Sequence, residues 1–243
     1  MAHTLVNRWA RLLADTLFPQ QCLLCRLPSA SHLPLCGCCA AQLVPNHPCC
    51  PCCALPLATP GGGLCSACTQ RPPALDRVLA PYVYEPCLGY LIGQWKFQRQ
   101  RHLSGLLAEL WLAAVDPPQD RDLLLPVPMH WRRLLQRGFN QATLLARALQ
   151  HCDSALQRLP VAERTLRRPR AVPAQSTLTA QQRLHNLRDA FSLRAPVQGR
   201  RIALVDDVMT TGATAETIAR LLKDAGAADV QLWCIARTPP PAT

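Results

Sequence analysis

Two adjacent carboxylates at the end of an apolar run carry the most specific chemistry in this 243-residue chain. Arg201-Ile-Ala-Leu-Val leads into Asp206-Asp207, then Val-Met, then Thr210-Thr211-Gly212-Ala213-Thr214. Such a run reads as a buried strand, and two consecutive acids at its end cannot both face a core. They are placed to accept hydrogen bonds from a vicinal diol, such as the 2′- and 3′-hydroxyls of ribose. The small, hydroxyl-rich turn that follows opens a helix, so its backbone N–H groups and hydroxyls make a phosphate cradle. Gly212 lets the backbone turn closely there. Ligands of open α/β sheets bind at the carboxyl ends of strands. A diol acceptor beside a phosphate cradle describes a ribose 5-phosphate site. The plainer alternative is that Asp206 and Asp207 only cap the following helix.

Cysteine supplies the second chemistry. Of 14 cysteines, 11 lie between Cys22 and Cys68. They form an internal repeat. Cys22-Leu-Leu-Cys25 resembles Cys50-Pro-Cys-Cys53, and each is followed by a second pair, Cys36/Cys39 and Cys65/Cys68. A CxxC turn aims two sulfurs at one point, and two such turns complete a tetrahedral Zn²⁺ site. With four cysteines per site no coordination position stays open, which argues for structure over catalysis. A segment so poor in large apolar residues folds only if metal binding, about 10–16 kcal/mol for structural zinc, is added. Cys49/Cys52 is also a CxxC pair, so the second frame has an alternative; the Leu-Pro shared by both units favours Cys50/Cys53. Cys87, Cys152 and Cys234 are isolated and read as small core residues.

Composition narrows the class. The formal net charge is +11, and Lys96 and Lys223 are the only lysines among 26 basic side chains. An arginine excess suits phosphate-rich partners, although a GC-rich coding sequence would also produce it. No apolar run reaches the roughly 18 residues of a membrane span. Residues 1–20 read as a short amphipathic helix and not as a signal peptide, because Arg8, Arg11 and Asp15 interrupt the apolar positions. The expected compartment is the cytoplasm, whose reducing conditions favour metal over disulfides.

From Val78 onward, strand and helix patterns alternate. Strands are expected at residues 78–84, 123–127, 201–205 and 229–236. Helices are expected at 88–95, 103–115, 140–150, 179–187 and 214–224, with residues 167–179 as an arginine- and proline-rich loop. Alternation of this kind implies a parallel sheet with both faces covered. The cluster Arg164 and Arg167 to Arg170 is a candidate nucleic-acid contact, or a lid over the site. His102, His130 and His185 read as surface residues. Tyr82 and Tyr84 are expected to pack on one strand face.

The segment LVDDVMTTGAT resembles the phosphoribosyl pyrophosphate (PRPP) motif of type I phosphoribosyltransferases. Pro126-Val127-Pro128, Arg132-Arg133 and Arg137-Gly138-Phe139-Asn140-Gln141 are similar to the PVP…RGFNQ signature of the ComF/GntX family. Arg183, Asn186, Leu187 and Phe191 resemble its R..NL…F segment, and Lys96-Phe97 its K-F pair. The resemblance implies an α/β fold of the type I phosphoribosyltransferase kind over residues 73–243, behind a double zinc ribbon over residues 21–72. It implies that Asp206 and Asp207 hold the ribose hydroxyls and that Thr210, Thr211, Gly212, Ala213 and Thr214 hold the 5′-phosphate. Arg132 or Arg133, with Arg137, would meet pyrophosphate, and Mg²⁺ would ride mainly on pyrophosphate oxygens. It also implies a link to DNA uptake in natural competence. Thr210 departs from purine-salvage relatives, where an aspartate at this position serves as base. Three functions follow from these features: a transferase to an unnamed acceptor, a nucleic-acid-handling factor that binds single-stranded DNA under PRPP control, or a docking protein for DNA-processing partners.

Overall fold

The computed structural model describes residues 20–29, 33–59, 63–169 and 190–239. The expected helices at 1–20 and 179–187, most of the 167–179 loop, His185, and Arg183, Asn186 and Leu187 lie outside these residues.

The sheet forms where the apolar runs predicted it. Strands β1 (Arg77–Leu79), β3 (Leu123–Pro126), β6 (Arg201–Val205) and β8 (Asp229–Trp233) make a parallel sheet in the order β1-β8-β6-β3. Its central residues Leu124, Leu125, Ile202, Ala203, Leu204, Val205 and Val230 are fully buried, as strands covered on both faces require. Three strands then break and resume as β2 (Tyr82–Val83), β7 (Val208–Met209) and β9 (Ala236–Arg237), a second parallel sheet in the order β2-β9-β7. The expected strands at 78–84 and 229–236 are therefore each two short strands. The β6–β7 break falls on Asp206 and Asp207, whose backbone still bridges neighbours: Asp206 N–H donates to Trp233 and Ile235 N–H donates to Asp207.

Helices cover both faces. Pro86–Phe97 begins with Pro at its first turn, which suits a position whose N–H has no partner. Leu103–Ala114 is apolar nearly all round and buries Leu103, Leu106, Leu107 and Trp111. Gln141–Cys152 is amphipathic and capped by the Asn140 side chain, which accepts from Ala142 N–H. Trp111 stacks on Trp233 with ring centroids 5.2 Å apart. Cys234 is buried as expected, but Cys152 is exposed. Tyr82 is buried and donates to the Leu110 carbonyl at 3.0 Å. Tyr84 lies beyond the strand and is exposed instead.

The cysteine segment packs onto this body. Asn46 N–H donates to Pro81, Val83 N–H donates to Val44, and the buried Asn46 side chain donates to Ala54 and Ala80. Cys22, Leu35, Cys39 and Leu43 join the core cluster that contains Trp95 and Trp111. Among the described residues no helix is long and apolar enough to cross a membrane.

Candidate functional site

Asp206 and Asp207 sit where β6 breaks, at its carboxyl end. Asp206 Oδ1 accepts from Asp207 N–H at 2.9 Å, and Asp207 Oδ1 accepts from Val208 N–H at 2.6 Å. Asp207 is buried and its other oxygen pairs with Lys96 Nζ at 2.5 Å. Lys96 comes from the end of the Pro86–Phe97 helix. Asp206 is half-buried. Loss of solvation, and then the Asp207 charge, push its carboxyl up to about 7; the Asp207 amide, Lys96 and Arg168 act against that. A carboxyl displaced this far by burial and a neighbouring charge marks Asp206 as a candidate functional group.

The turn after Met209 leads into helix Ala213–Asp224. Gly212 has φ +79°, and a Cβ there would fall 2.4 Å from Met209 Cε. Its left-handed conformation is the reason a glycine stands here. Gly212 is the N-cap and has no side chain to occupy the first amides. Among the described residues their nearest side-chain acceptor is Thr211 Oγ1, 3.4 Å from Ala213 N. Thr210 and Thr211 are exposed, while Ala213 and Thr214 are half-buried. Among the described residues this helix N-terminus, a few residues after the acid pair, has no side-chain cap from its N-cap residue.

A cleft of about 460 Å³ opens next to Lys96 and is lined by Phe97, Arg99, Arg133, Gln136 and Arg137. Arg133 and Arg137 come from the helix Trp131–Arg137, which ends at the left-handed Gly138. Burial lowers the Arg137 guanidinium and Arg133 adds to this, with Asp207 opposing both. Arg132 does not line the cleft: its guanidinium lies over the Trp131 ring, 5.3 Å from the centroid. His130 is buried, not on the surface, and its Nδ1 accepts from Arg132 N–H. Arg167, expected in a loop, is in strand β4 (Leu166–Arg167), antiparallel to β5 (Ser192–Leu193). Its neighbour Arg168 stacks on Phe191 and feels both Arg133 and Asp206, so it belongs with the site.

Composition gave a second hint to Lys96, which the K-F resemblance had already marked. Lys96 is one of two lysines in an arginine-dominated chain, and a lysine chosen against that bias marks a demand for a compact point charge. Arg168 was marked only as part of the Arg167–Arg170 cluster, and Arg99 and Arg237 carried no signal among so many arginines.

The cysteines assemble as two tetrads, Cys22/Cys25/Cys36/Cys39 and Cys50/Cys53/Cys65/Cys68, each with all sulfurs within 4.8 Å of one another. Cys25 and Cys36 sulfurs are 3.7 Å apart, and those of Cys53 and Cys65 are 3.6 Å apart. A tetrahedron of Zn–S bonds of about 2.3 Å has edges of about 3.8 Å, so the donor set fits zinc. Burial raises the Cys22 thiol, but backbone N–H groups of Cys25, Cys36 and Leu24 overcome it and bring the group down to about 6. Cys50 is brought to about 7 in the same way by the amides of Cys65, Cys53 and Cys52. Cys49 and Cys52 stand outside the tetrad, which decides the frame.

Residues 13–69 match the double zinc ribbon domain family, and residues 134–241 match the phosphoribosyl transferase domain family. Fold and site together define a phosphoribosyltransferase-domain protein that carries a structural double zinc ribbon. The chain is 40% identical over 230 residues to the DNA utilization protein YhgH of Salmonella typhimurium, covering 90% of this chain and 98% of that one. It is 35% identical over 182 residues to competence protein F of Haemophilus influenzae, covering 71% and 78%. It therefore belongs to the ComF/GntX family that its motifs resemble. The purine phosphoribosyltransferase of Pyrococcus horikoshii aligns in structure over 59% of this chain and 73% of its own, at 19% identity and a TM-score of 0.31.

Proposed function

We propose that the site binds PRPP with Mg²⁺ in the cytoplasm, in the service of DNA uptake or use. The observation that carries this reading is the half-buried Asp206 beside the Lys96–Asp207 pair, flanked on one side by the uncapped helix end and on the other by the arginine cleft. Asp206 and Asp207 accept from the ribose 2′- and 3′-hydroxyls. The amides and hydroxyls of Thr210, Thr211, Gly212, Ala213 and Thr214 receive the 5′-phosphate. Arg133 and Arg137, with Arg99 and Arg168 nearby, face the pyrophosphate. Mg²⁺, when bound, is held mainly by pyrophosphate oxygens and neutralises part of their charge.

If phosphoribosyl is transferred, the C1–O bond to pyrophosphate breaks with its electron pair leaving on pyrophosphate, and the acceptor forms the new bond at C1. The arginines stabilise the charge that develops on the leaving group, and the acid pair steadies the ribose as C1 becomes positive. The names of the relatives direct the acceptor search to nucleic acids and their precursors. Calorimetry with PRPP and Mg²⁺ tests the reading. Micromolar binding that disappears in Asp206→Asn/Asp207→Asn supports it, and no binding by the folded, zinc-loaded native chain refutes it.

A second reading is favoured by one surface. Trp131, Leu135 and Phe97 are exposed among Arg99, Arg132 and Arg133, the mixture of stacking faces and cations that suits single-stranded DNA. Binding of a labelled oligonucleotide that weakens with salt and with Trp131→Ala would support it, and salt-insensitive or absent binding would remove it. The modules proposed to divide this labour are residues 21–72 and residues 73–243.

A further inference from the structure

Arg237, at the end of β9, is buried at 8% exposure, yet no carboxylate pairs with it among the described residues. Its Nε and Nη1 donate to main-chain carbonyls from three places. Nε donates to Cys53 at 3.1 Å. Nη1 donates to Met209 at 3.1 Å, to Thr238 at 2.8 Å, and to Thr210. Cys53 belongs to the second cysteine tetrad, and Met209 and Thr210 begin the turn read above as the phosphate cradle. One buried side chain therefore ties the zinc ribbon to the loop.

The tie has a geometric consequence. In a planar trans peptide the C=O and the following N–H point in opposite directions. Holding the Met209 and Thr210 carbonyls on Arg237 turns the N–H groups of Thr210 and Thr211 away from it, toward the exposed side of the loop. The guanidinium also leaves a net positive charge beneath the turn, because carbonyl dipoles satisfy its hydrogen bonds without neutralising it. Packing runs the same way. Ala54 and Met209 share one core cluster, with Cys49 and Cys53 against it. Ala74 N–H, just past the ribbon, donates to both oxygens of Glu216 in the first turn of the helix after the loop, at 3.1 and 3.0 Å. The first tetrad has no comparable link among the described residues; Cys22 and Cys39 pack instead into the cluster around Trp95 and Trp111.

We propose that Arg237 is a positioning residue that couples the second cysteine tetrad to the phosphate loop, so that a filled tetrad and a bound 5′-phosphate stabilise each other. The proposal rests on the PRPP reading of the loop. It assigns the two zinc sites different roles: the second shapes the ligand site, and the first holds the fold. Coupling between sites is reciprocal, so PRPP also slows zinc loss from the second tetrad.

The test uses the full, zinc-loaded chain. PRPP–Mg²⁺ binding is measured for the native protein, Arg237→Met, Arg237→Lys, Cys68→Ser, Cys25→Ser, and the double variant Arg237→Met/Cys68→Ser. Arg237→Met and Cys68→Ser are each expected to weaken binding by at least about fivefold, with the double variant no worse than the poorer single one. Arg237→Lys is expected to weaken it too, because a lysine keeps the charge but cannot span the separate carbonyls. Cys25→Ser is expected to lose stability but, at a temperature where circular dichroism shows it folded, to bind within about twofold of native. Native-like binding by Arg237→Met, or independent multiplying effects in the double variant, overturns the coupling.

Amide hydrogen exchange reads the same link without ligand. Protection of the Thr238 amide, which donates to Met209, and of residues 208–213 is expected to fall in Cys68→Ser and Arg237→Met but not in Cys25→Ser. Unchanged exchange in Cys68→Ser overturns the coupling. If the native chain fails to bind PRPP while exchange responds as expected, the PRPP reading fails and the coupling of ribbon to loop stands.

Discussion

Replacing Asp206 by asparagine should make the ligand-free protein more stable while abolishing the proposed PRPP binding. The carboxyl is displaced from 3.8 to about 7 by lost solvation and by the charge of Asp207. A carboxyl that holds its proton more tightly when folded favours the folded state below the unfolded value of 3.8. That advantage is lost as pH rises through about 7. At about 1.36 kcal/mol per pKa unit the displacement corresponds to at most about 4 kcal/mol. Partial contact of Asp206 with solvent reduces this to about 1–3 kcal/mol. Asparagine keeps the shape and the oxygen that accepts from Asp207 N–H but has no charge to desolvate. The assay is urea unfolding with zinc in excess, followed by far-UV circular dichroism at pH 8 and pH 5.5. The Asp206→Asn midpoint should lie above native by about 0.5–1.5 M at pH 8, taking an m-value of about 2 kcal/mol/M. At pH 5.5 the gap should shrink by about half. A variant less stable than native at pH 8, or a gap that does not change with pH, would refute the argument that the acid pair is maintained at the expense of stability for a ligand.

Lys96→Met removes the cation that Asp207 pairs with and leaves two acids side by side; it should destabilise the chain by about 3 kcal/mol at pH 8 and by less at pH 5.5, read from the same unfolding curves. Arg133→Ala should weaken pyrophosphate binding about tenfold in calorimetry, whereas Arg132→Ala should leave it nearly unchanged, because Arg132 lies over Trp131 and away from the cleft. Elemental analysis should find two zinc ions per native chain, one in Cys39→Ser or Cys68→Ser, and two in Cys49→Ser, whose sulfur stands outside the tetrads.

The strongest features of this protein depend on near neighbours in the chain, and the sequence by itself determined them. A CxxC turn, a strand-turn-helix phosphate cradle and an apolar strand each need only a few consecutive residues of the right type. The tetrads, the acid pair and the strands at 123–126 and 201–205 were legible for that reason. The breaks in β1, β6 and β8 were not, since they arise where three adjacent strands bend together. Only the tertiary structure decided which cations serve the site. Lys96 reaches Asp207 from the end of a helix, Arg168 lies just past β4, and Arg237 joins Cys53 to Met209 across the fold. Local pattern marks Lys96 and the cluster that holds Arg168, but it does not show which partners they or Arg237 meet. Packing does, because a buried charge persists only where the surrounding chain supplies partners, and those partners come from far away in sequence.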